Sequence, residues 1–358
     1  MKQKSIAIIT CIGKSNFGNR LQNYALQKVL QDKGFYVETL NNTSLLNNVE
    51  NYAAAEKEYN SYQEEKAKRD YENRHRIAYF EEFDQNVVFA KDFITAINLP
   101  DTNYDFYVVG SDQIWNPYHG KLRDLDLLYC IEPSKRLSYA ASIGIDEIPD
   151  KFKEKTQREL SKFKAISVRE DKGKELIEEL TNRTDVEVNL DPTMLLTAED
   201  WSKLAKKPKQ LKTDKYILNY FLGKLSDSRQ DEIERIAKEN NCEIINILDK
   251  ESPFYETGPS EFLYLEKNAF LICTDSFHSS VFSILFNRPF IIFNREDDQQ
   301  SMNSRLETLV NTFKLENRTY EDKITEANLN HDYTEAYKIL EEKRQAAHNY
   351  LDKALNLK

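Results

Sequence analysis

Short apolar runs alternate with amphipathic stretches from the start of the chain. Residues 5–10 form a continuous apolar run that is typical of a buried parallel strand, and a loop containing Gly18 follows. Apolar residues then recur at helical spacing over residues 20–31, with Asn19 as the predicted N-cap. Gly34 ends this helix, and a second apolar run comes directly after it. The pattern predicts a strand–helix–strand unit with parallel strands.

The same alternation continues through the first half of the chain. Apolar runs predict strands at residues 106–109, 137–141, 165–168 and 186–190. A helical pattern at residues 171–180 lies between the last two of these runs. Strands that alternate with helices in this way predict a doubly wound α/β sheet.

Residues 51–83 have a different character. They are dense in Glu, Lys, Arg and Tyr and contain neither Pro nor Gly. This composition predicts one or two exposed helices inserted into the first domain, at about residues 51–90. A solvated helical arm is the favoured interpretation, and a partner-binding surface is the alternative.

The second half of the chain repeats the α/β pattern after a polar, basic stretch at residues 206–215, which we interpret as a linker. Strands are predicted at residues 216–221, 243–248, 269–273 and 290–293, and helices at residues 227–239, 259–266 and 276–286. We therefore expect an α/β protein of two Rossmann-like domains, residues 1–205 and 216–330. A C-terminal helix within residues 331–358 could pack back on the first domain.

Length and charge narrow the class of protein. A chain of 358 residues exceeds one ordinary core, which favours two domains. The formal net charge of -10 argues against a general nucleic-acid binder, although a local arginine with backbone N–H groups can still bind a small anion. No apolar run reaches the roughly 18 residues of a membrane-spanning helix, and the four cysteines form no CxxC pair. We expect a cytoplasmic protein with reduced thiols.

Four segments follow predicted strands, and ligands of doubly wound sheets bind at the carboxyl ends of strands. In the first, residues 11–20, Gly18 allows a ligand to approach the backbone closely. The helix N-terminus after Asn19 offers N–H groups to an anion. A tight turn followed by an N-cap is the alternative interpretation.

The second segment, residues 108–117, ends a strand with Gly-Ser-Asp. Ser111 and Asp112 are thereby predicted at the edge of the sheet, where Trp115 could form a wall for a sugar ring. Taken alone, the segment favours an Asx-type turn with Trp115 in the core.

In the third segment, Arg169 directly follows an apolar strand. Its guanidinium could lie in a cleft between the two domains and hold a phosphate or carboxylate through two hydrogen bonds. A surface ion pair with Glu170 or Asp171 is the alternative.

In the fourth segment, His278 lies in the first turn of a predicted helix and off the centre of its apolar stripe. Asp275 or Ser276 can cap this helix. The dipole of an empty helix N-terminus disfavours an imidazolium, whereas a bound phosphate favours it and creates a proton donor. Taken alone, a single histidine here favours a structural role.

Together these segments resemble the polysaccharide pyruvyl transferase family. The resemblance runs in order from about residue 5 to 295, through FGNRLQNYALQ, VVGSDQIWNP, YAASIG, ISVRED, DPTMLL, GPSEFL and TDSFHSSVFSILFNRPF. It implies a two-domain fold like that of the GT-B glycosyltransferases. It also implies transfer of a carboxyethylidene group from phosphoenolpyruvate to two hydroxyls of a sugar, in a surface polysaccharide such as an exopolysaccharide or capsule, or in its lipid-linked precursor.

The resemblance also implies roles for particular residues. The family's functional histidine matches His278, and its arginine after the mid-chain strand matches Arg169. The family often has Gly or Ala after the histidine, where this chain has Ser279, and this leaves the substrate open. From its position, Asp112 is our candidate for a general base or for a group that orients a hydroxyl. The candidate substrate-binding residues are Gly18, Asn19, Arg20, Ser111, Trp115, Ser276 and Ser279.

These interpretations imply a set of partners. We expect phosphoenolpyruvate as co-substrate, a sugar or lipid-linked saccharide as acceptor, no nucleic acid, no cofactor and no obligatory metal. Peripheral contact with the inner face of the membrane and the oligomeric state are left open. Two other functions remain as alternatives: a GT-B glycosyltransferase with a nucleotide-sugar donor, and a non-catalytic glycan-binding member of the fold.

Overall fold

The chain forms two compact units. The computed structural model describes residues 3–42, 65–95, 98–119, 122–295 and 304–357. The first unit consists of Met1–Arg74, Asp84–Leu195 and Lys343–Lys358, and the second of His75–Phe83 and Leu196–Glu342.

The first unit is built on parallel strands. They are β1 (Ser5–Ile9), β2 (Tyr36–Asn42), β3 (Phe89–Ile94), β4 (Phe106–Val109), β5 (Arg136–Ser138), β6 (Ser167–Val168) and β7 (Glu187–Val188). The first five lie in the order β3-β2-β1-β4-β5, and β6 pairs with β7. Parallel bridges from Leu137 to Ala165 and from Ala141 to Val168 extend the order to β6. This order is that of the Rossmann fold.

The second unit has a smaller parallel sheet. Its strands are β8 (Tyr216–Tyr220), β9 (Glu243–Asn246), β10 (Leu271–Thr274) and β11 (Phe290–Ile292). They lie in the order β11-β10-β8-β9, which is the order of the first strands of the flavodoxin-like doubly wound fold. The prediction of two Rossmann-like domains is confirmed.

The described helices connect these strands. They are α1 (Phe17–Asp32), α2 (Arg74–Asp84), α3 (Asp150–Leu160), α4 (Asp171–Thr181), α5 (Ala198–Leu204), α6 (Asp227–Asn240), α7 (Pro259–Asn268), α8 (Phe277–Leu285), α9 (Ser304–Phe313), α10 (Glu326–Leu329) and α11 (Thr334–Ala354). Residues 65–72 are helical as well. In the described ranges no helix combines the length and the apolar character needed to cross a bilayer.

The inserted helical segment departs from its predicted place. Residues 51–64 of that segment lie outside the described residues. The rest is helical, but His75–Phe83 belongs to the second unit rather than to the first. Arg76 shows why: its Nη1 donates to the carbonyl of Tyr255 at 2.6 Å, and its guanidinium lies 5.2 Å from the centre of the Tyr255 ring.

The division between the units also differs from the predicted boundaries. The first unit ends at Leu195 rather than at residue 205, because α5 belongs to the second unit. There the fully buried ring of Trp201 meets Phe282 edge to face, with centroids 5.2 Å apart. At the end of the chain, Lys343–Lys358 belongs to the first unit, where the Tyr350 hydroxyl donates to the carbonyl of Ser138 at 2.7 Å.

Each sheet has one position at which the strand order changes direction. In the first unit the chain adds β2 and β3 on one side of β1 and then β4 on the other, so this switch point lies between β1 and β4. In the second unit it lies between β8 and β10. Ligands of doubly wound sheets bind at the carboxyl ends of the strands that flank such points.

Candidate functional site

The switch point of the first unit depends on a glycine at the end of β4. Gly110 has φ +124°, and a Cβ atom built on it would lie 2.2 Å from the carbonyl oxygen of Tyr139. Only glycine fits this close approach of two backbone segments. The turn that it permits places Ser111 and Asp112 directly beyond the strand.

Ser111 is fixed by hydrogen bonds from both its backbone N–H and its hydroxyl. Its N–H donates to Oε1 of Gln22 at 2.9 Å, and its hydroxyl lies 2.7 Å from the carbonyl of Ala140 and 3.1 Å from Oδ2 of Asp191. Gln22, on α1, was not among the predicted site residues. A polar residue on the buried face of a helix was the only sequence signal for it.

Asp112 joins three elements of the first unit. Its Oδ2 accepts a hydrogen bond from Nδ2 of Asn19 at 2.8 Å. Its Oδ1 accepts from the N–H of Gln113 at 2.8 Å and lies 3.4 Å from Nη2 of Arg169. The structure therefore brings together three predicted residues that are far apart in the sequence.

Arg169 has a second carboxylate partner that the sequence analysis missed. Its Nη1 donates to Oδ2 of Asp191 at 2.7 Å. Asp191 is itself held, because its Oδ1 accepts from both the N–H and the hydroxyl of Thr193, at 3.0 and 2.7 Å. The signal for Asp191 was its place in DPTMLL, just after the last strand of the unit. We refer to Asn19, Ser111, Asp112, Arg169 and Asp191 as the Arg169 network.

The electrostatics of the Arg169 network are dominated by carboxylates. Burial disfavours the charged guanidinium, but the charges of Asp191, Asp112 and Glu170 outweigh burial and raise the pKa of Arg169. Among the described residues, three carboxylates therefore act on this one guanidinium. The side chain of Asp191 is 0% exposed and that of Arg169 is 1%, whereas that of Asp112 is 9%. Asp112 is thus the most exposed of these three charged groups.

Three predicted site residues of the first unit lie elsewhere. Trp115 is fully buried, and its indole N–H donates to the carbonyl of Asp126 at 3.0 Å, so it cannot form a wall for a sugar. This is the core position that its segment favoured when taken alone. Gly18 is buried within α1, because the helix begins at Phe17 and its N-cap is Asn16 rather than Asn19.

Arg20 is also occupied away from the Arg169 network. Its Nε lies 2.6 Å from Oδ1 of Asp84, and its guanidinium is 5.0 Å from the centre of the Phe89 ring. Burial lowers the pKa of Arg20, and the charge of Asp84 only partly offsets this. Its role is to join α1 to the segment around Asp84, so the expectation that it binds substrate is not supported.

In the second unit, Asp275 lies at the switch point and links the loops that follow the neighbouring strands. It follows β10, and its two carboxylate oxygens accept from the backbone N–H groups of Leu222 and Gly223, at 2.7 and 2.8 Å. Its Oδ2 also lies 2.9 Å from Nε of Arg295. The side chain of Asp275 is 4% exposed and that of Arg295 is 16%. The arginine, not the carboxylate, therefore reaches solvent here.

His278 lies beside this group, in the first turn of α8. Of the two predicted N-cap candidates, Ser276 is the N-cap, and its side chain accepts from the N–H of Ser279. The imidazole is almost fully buried and meets the Phe277 ring edge to face, with centroids 5.4 Å apart. We refer to Gly223, Asp275, Ser276, His278 and Arg295 as the Arg295 cluster. Arg295 was missed by the sequence analysis, although it follows β11 closely.

Ser279 does not belong to the Arg295 cluster. Its side chain is fully buried, and its hydroxyl donates to Oε1 of Glu266 at 2.5 Å. Burial raises the pKa of Glu266 well above its ordinary value, although the hydroxyls of Ser279 and Ser283 act in the other direction. The expected contact of Ser279 with substrate is therefore replaced by a buried contact between α8 and α7.

The two arrangements differ in what they can bind. The Arg295 cluster combines a guanidinium, the N–H groups of a helix N-terminus and an imidazole, which suits an anion and a proton transfer. The Arg169 network exposes a carboxylate beside an amide. Over the described residues, no group of three imidazole, thiol or carboxylate side chains has the arrangement of a metal site.

Known proteins resemble this chain in sequence and in fold. A model of the family "Polysaccharide pyruvyl transferase" matches residues 16–297. A search of curated protein sequences finds no significant match.

Solved structures are similar over nearly the whole chain. A UDP-GlcNAc 2-epimerase from Neisseria meningitidis matches with a TM-score of 0.51 and 10% identity, over 99% of this chain and 98% of that one. A protein assigned as a UDP-N-acetylglucosamine 2-epimerase from Listeria monocytogenes matches with a TM-score of 0.50 and 10% identity, over 98% and 91%. At this identity they show the fold alone, which is GT-B-like. Because the family model covers most of the sequence, including both switch-point segments, the chain belongs to the polysaccharide pyruvyl transferase family.

Proposed function

We propose that this protein transfers a pyruvyl group from phosphoenolpyruvate to two hydroxyls of a sugar, as a cyclic ketal. The observation that carries the proposal is the family match over residues 16–297, which spans both Asp–Arg groups. The acceptor would be a sugar of a surface polysaccharide or of its lipid-linked precursor. The reaction would take place in the cytoplasm.

The reaction defines what the site must supply. One sugar hydroxyl adds to C2 of phosphoenolpyruvate while C3 receives a proton and becomes a methyl group. The second hydroxyl then attacks C2, the bond from C2 to the phosphate oxygen breaks, and phosphate leaves with the second hydroxyl proton. The products are the ketal and inorganic phosphate. The site therefore needs an acid for C3, a base for the first hydroxyl, and cations for the phosphate and carboxylate.

The Arg295 cluster fits the donor. The guanidinium of Arg295, fixed through its Nε by Asp275 at 2.9 Å, leaves its other edge for an oxyanion. The N-terminus of α8, with its first N–H groups and its partial positive charge, favours an anionic ligand as well. We assign His278, in that first turn, as the acid that protonates C3, because histidine is the commonest general acid in enzymes and this one lies where the helix N-terminus would bind the donor.

No metal or cofactor is required by this proposal. Phosphoenolpyruvate is already activated by its enol phosphate, and the charges that stabilise the departing phosphate come from side chains and backbone N–H groups. The expectation of no cofactor and no obligatory metal therefore stands as part of the proposal.

The test is direct product analysis. The enzyme is incubated with phosphoenolpyruvate and a panel of saccharides and lipid-linked saccharides, with phosphate release and the mass of each acceptor as readouts. A mass gain of one pyruvic acid less one water, matched by phosphate release, supports the proposal. Release of a nucleoside diphosphate from a nucleotide sugar instead would reassign the protein as a glycosyltransferase. Saccharide binding with no turnover of any donor would reassign it as a glycan-binding protein.

A further inference from the structure

We propose that the Arg169 network binds hydroxyls of the acceptor sugar, and that Asp112 receives the proton of the attacking hydroxyl. In this assignment Arg169 and Asp191 are positioning residues that hold Asp112, and Arg169 is not a ligand of the donor phosphate. The inference rests on the proposed function, since it assigns the acceptor of that reaction to particular residues.

The first support is the charge around Arg169. Asp191 and Asp112 lie 2.7 and 3.4 Å from its Nη atoms, and Glu170 adds a third carboxylate close enough to act on it. Like charges in a partly buried site repel strongly, because the surroundings screen them less than water does. A phosphoenolpyruvate anion at Arg169 would meet the carboxylates of Asp191, Asp112 and Glu170. A neutral hydroxyl carries no such penalty, and carboxylates accept hydrogen bonds from hydroxyls readily.

The second support is the order of burial. Asp191 is fully enclosed, Arg169 is 1% exposed, and Asp112 is 9% exposed. Asn19, which donates to Oδ2 of Asp112 at 2.8 Å, is only partly buried. A ligand that reaches this end of the sheet therefore meets a carboxylate and an amide before it meets the guanidinium. Both are groups that bind sugar hydroxyls.

The third support is the rigidity of the anchor. Asp191 accepts from Arg169, from Ser111 and twice from Thr193. These hydrogen bonds fix Nη1 of Arg169 through Asp191, so that Nη2 faces Asp112. The guanidinium thereby holds the carboxylate of Asp112 in a fixed place, as a proton acceptor requires.

The proton balance of the reaction is then complete. His278 gives a proton to C3 of phosphoenolpyruvate, and Asp112 takes the proton of the first attacking hydroxyl. The second hydroxyl proton leaves with the phosphate. Exchange with solvent returns both side chains to their starting states after each turnover.

The experiment separates donor binding from acceptor chemistry. Binding of phosphoenolpyruvate alone is measured by isothermal titration calorimetry for the wild-type chain, Asp112→Asn and Arg169→Lys. Turnover is measured with the acceptor that the saccharide panel identifies. Asp126→Asn is the matched control, because Asp126 is a fully buried carboxylate of the same unit that pairs with Arg123 away from the switch point. Thermal unfolding midpoints confirm that each variant is folded.

We expect both site variants to bind phosphoenolpyruvate within twofold of wild type. Asp112→Asn should lower kcat at least 100-fold. The fall in rate at low pH, which is the acidic limb of the pH–rate profile, should disappear in this variant. Tighter binding of phosphoenolpyruvate by Asp112→Asn, or binding at least tenfold weaker in Arg169→Lys, would place the donor anion at Arg169. Either result overturns the inference and leaves the proposed function intact. Failure of the wild-type chain to bind phosphoenolpyruvate would instead overturn the proposed function, and the inference with it.

Discussion

The two units carry the same pair of residue types at their switch points, an aspartate and an arginine, but they expose opposite members of the pair. In the first unit the arginine is 1% exposed and Asp112 is 9% exposed. In the second unit Asp275 is 4% exposed and Arg295 is 16% exposed. Both sheets are parallel and doubly wound, so we look for the difference in the hydrogen bonds that each aspartate makes.

The backbone around each aspartate explains the difference. Asp275 accepts from two backbone N–H groups of the loop after β8. These bonds hold its carboxylate in the interior, so Arg295 is the more exposed member of the pair. In the first unit Asp191 takes that inner position and holds Arg169, which leaves Asp112 outside. An ion pair alone therefore does not tell which charge a ligand meets, because the hydrogen bonds behind the pair decide its orientation.

The largest expected effect concerns His278, the proposed acid of the second unit. His278→Gln should lower kcat by about 10²–10⁴-fold, because general acid catalysis contributes this much, and should change phosphoenolpyruvate binding far less. Phosphate release under single-turnover conditions measures the loss. His331→Gln is the control, since His331 is a partly exposed histidine of the same unit whose Nε2 lies 2.9 Å from the carbonyl oxygen of Asn287. A loss below tenfold in His278→Gln would remove the second unit from the chemistry.

The next effect contrasts the glycines of the two switch points. Gly110→Ala forces a Cβ to within 2.2 Å of a backbone carbonyl, whereas Gly223→Ala meets only side-chain atoms of Asp275 and Arg295, at 3.2 and 3.4 Å. We expect Gly110→Ala to destabilise the first unit by at least about 3 kcal/mol, and Gly223→Ala to cost about 1 kcal/mol or less.

The two tryptophans make this contrast measurable, because Trp115 is buried in the first unit and Trp201 in the second. Urea unfolding is followed by fluorescence in Trp201→Phe and Trp115→Phe backgrounds, so that each unit reports by itself. Equal shifts for the two glycine variants would contradict the difference in backbone crowding.

A smaller effect is expected for Arg295, the cation that we propose binds phosphoenolpyruvate. Arg295→Gln should weaken phosphoenolpyruvate binding about 10- to 100-fold, which is roughly 1.4–2.8 kcal/mol, because it removes a charge-assisted contact with an oxyanion. Calorimetric titration measures it. Arg235→Gln removes a partly exposed arginine of the same unit that pairs with Glu232 and Glu239, and should have no effect on binding. Unchanged affinity in Arg295→Gln would mean that the exposed arginine is not the phosphate ligand.

The smallest effect is a pH dependence of stability in the second unit. The raised pKa of Glu266 means that the folded unit holds this proton more tightly than the unfolded chain does. Its free energy of unfolding should therefore fall as the pH rises above the ordinary value of 4.5, until the folded-state pKa is passed. Glu266→Gln should abolish this fall and be more stable by at least about 1 kcal/mol at pH 7.

Urea unfolding between pH 4 and 8, read from Trp201, checks this sign. Glu243→Gln is the control, because Glu243 is exposed on β9. A Glu266→Gln variant whose stability relative to wild type does not change with pH would show that Glu266 ionises equally in both states.

Much of the fold was predictable because buried strands are apolar over their whole length. The structure has β4 at the predicted residues, and the second unit has its four strands and three of its helices where the pattern places them. β3 was missed because it lies at the sheet edge, where the exposed Lys91 and Asp92 interrupt the apolar run. The place of His75–Phe83 in the second unit was unpredictable for another reason: it depends on Arg76 meeting Tyr255, far away in the sequence.

The sequence by itself determined the periodicity, and hence the two parallel sheets and the loops that follow their strands. It thereby placed Asn19, Asp112 and His278 near carboxyl ends of strands, because a period of two or of 3.6 residues is a local property. Only the tertiary structure decided which side chains those loops expose. Arg20 pairs with Asp84, Ser279 donates to Glu266 and Arg169 pairs with Asp191. Each buried charge or hydroxyl takes the partner that folding brings within hydrogen-bonding distance.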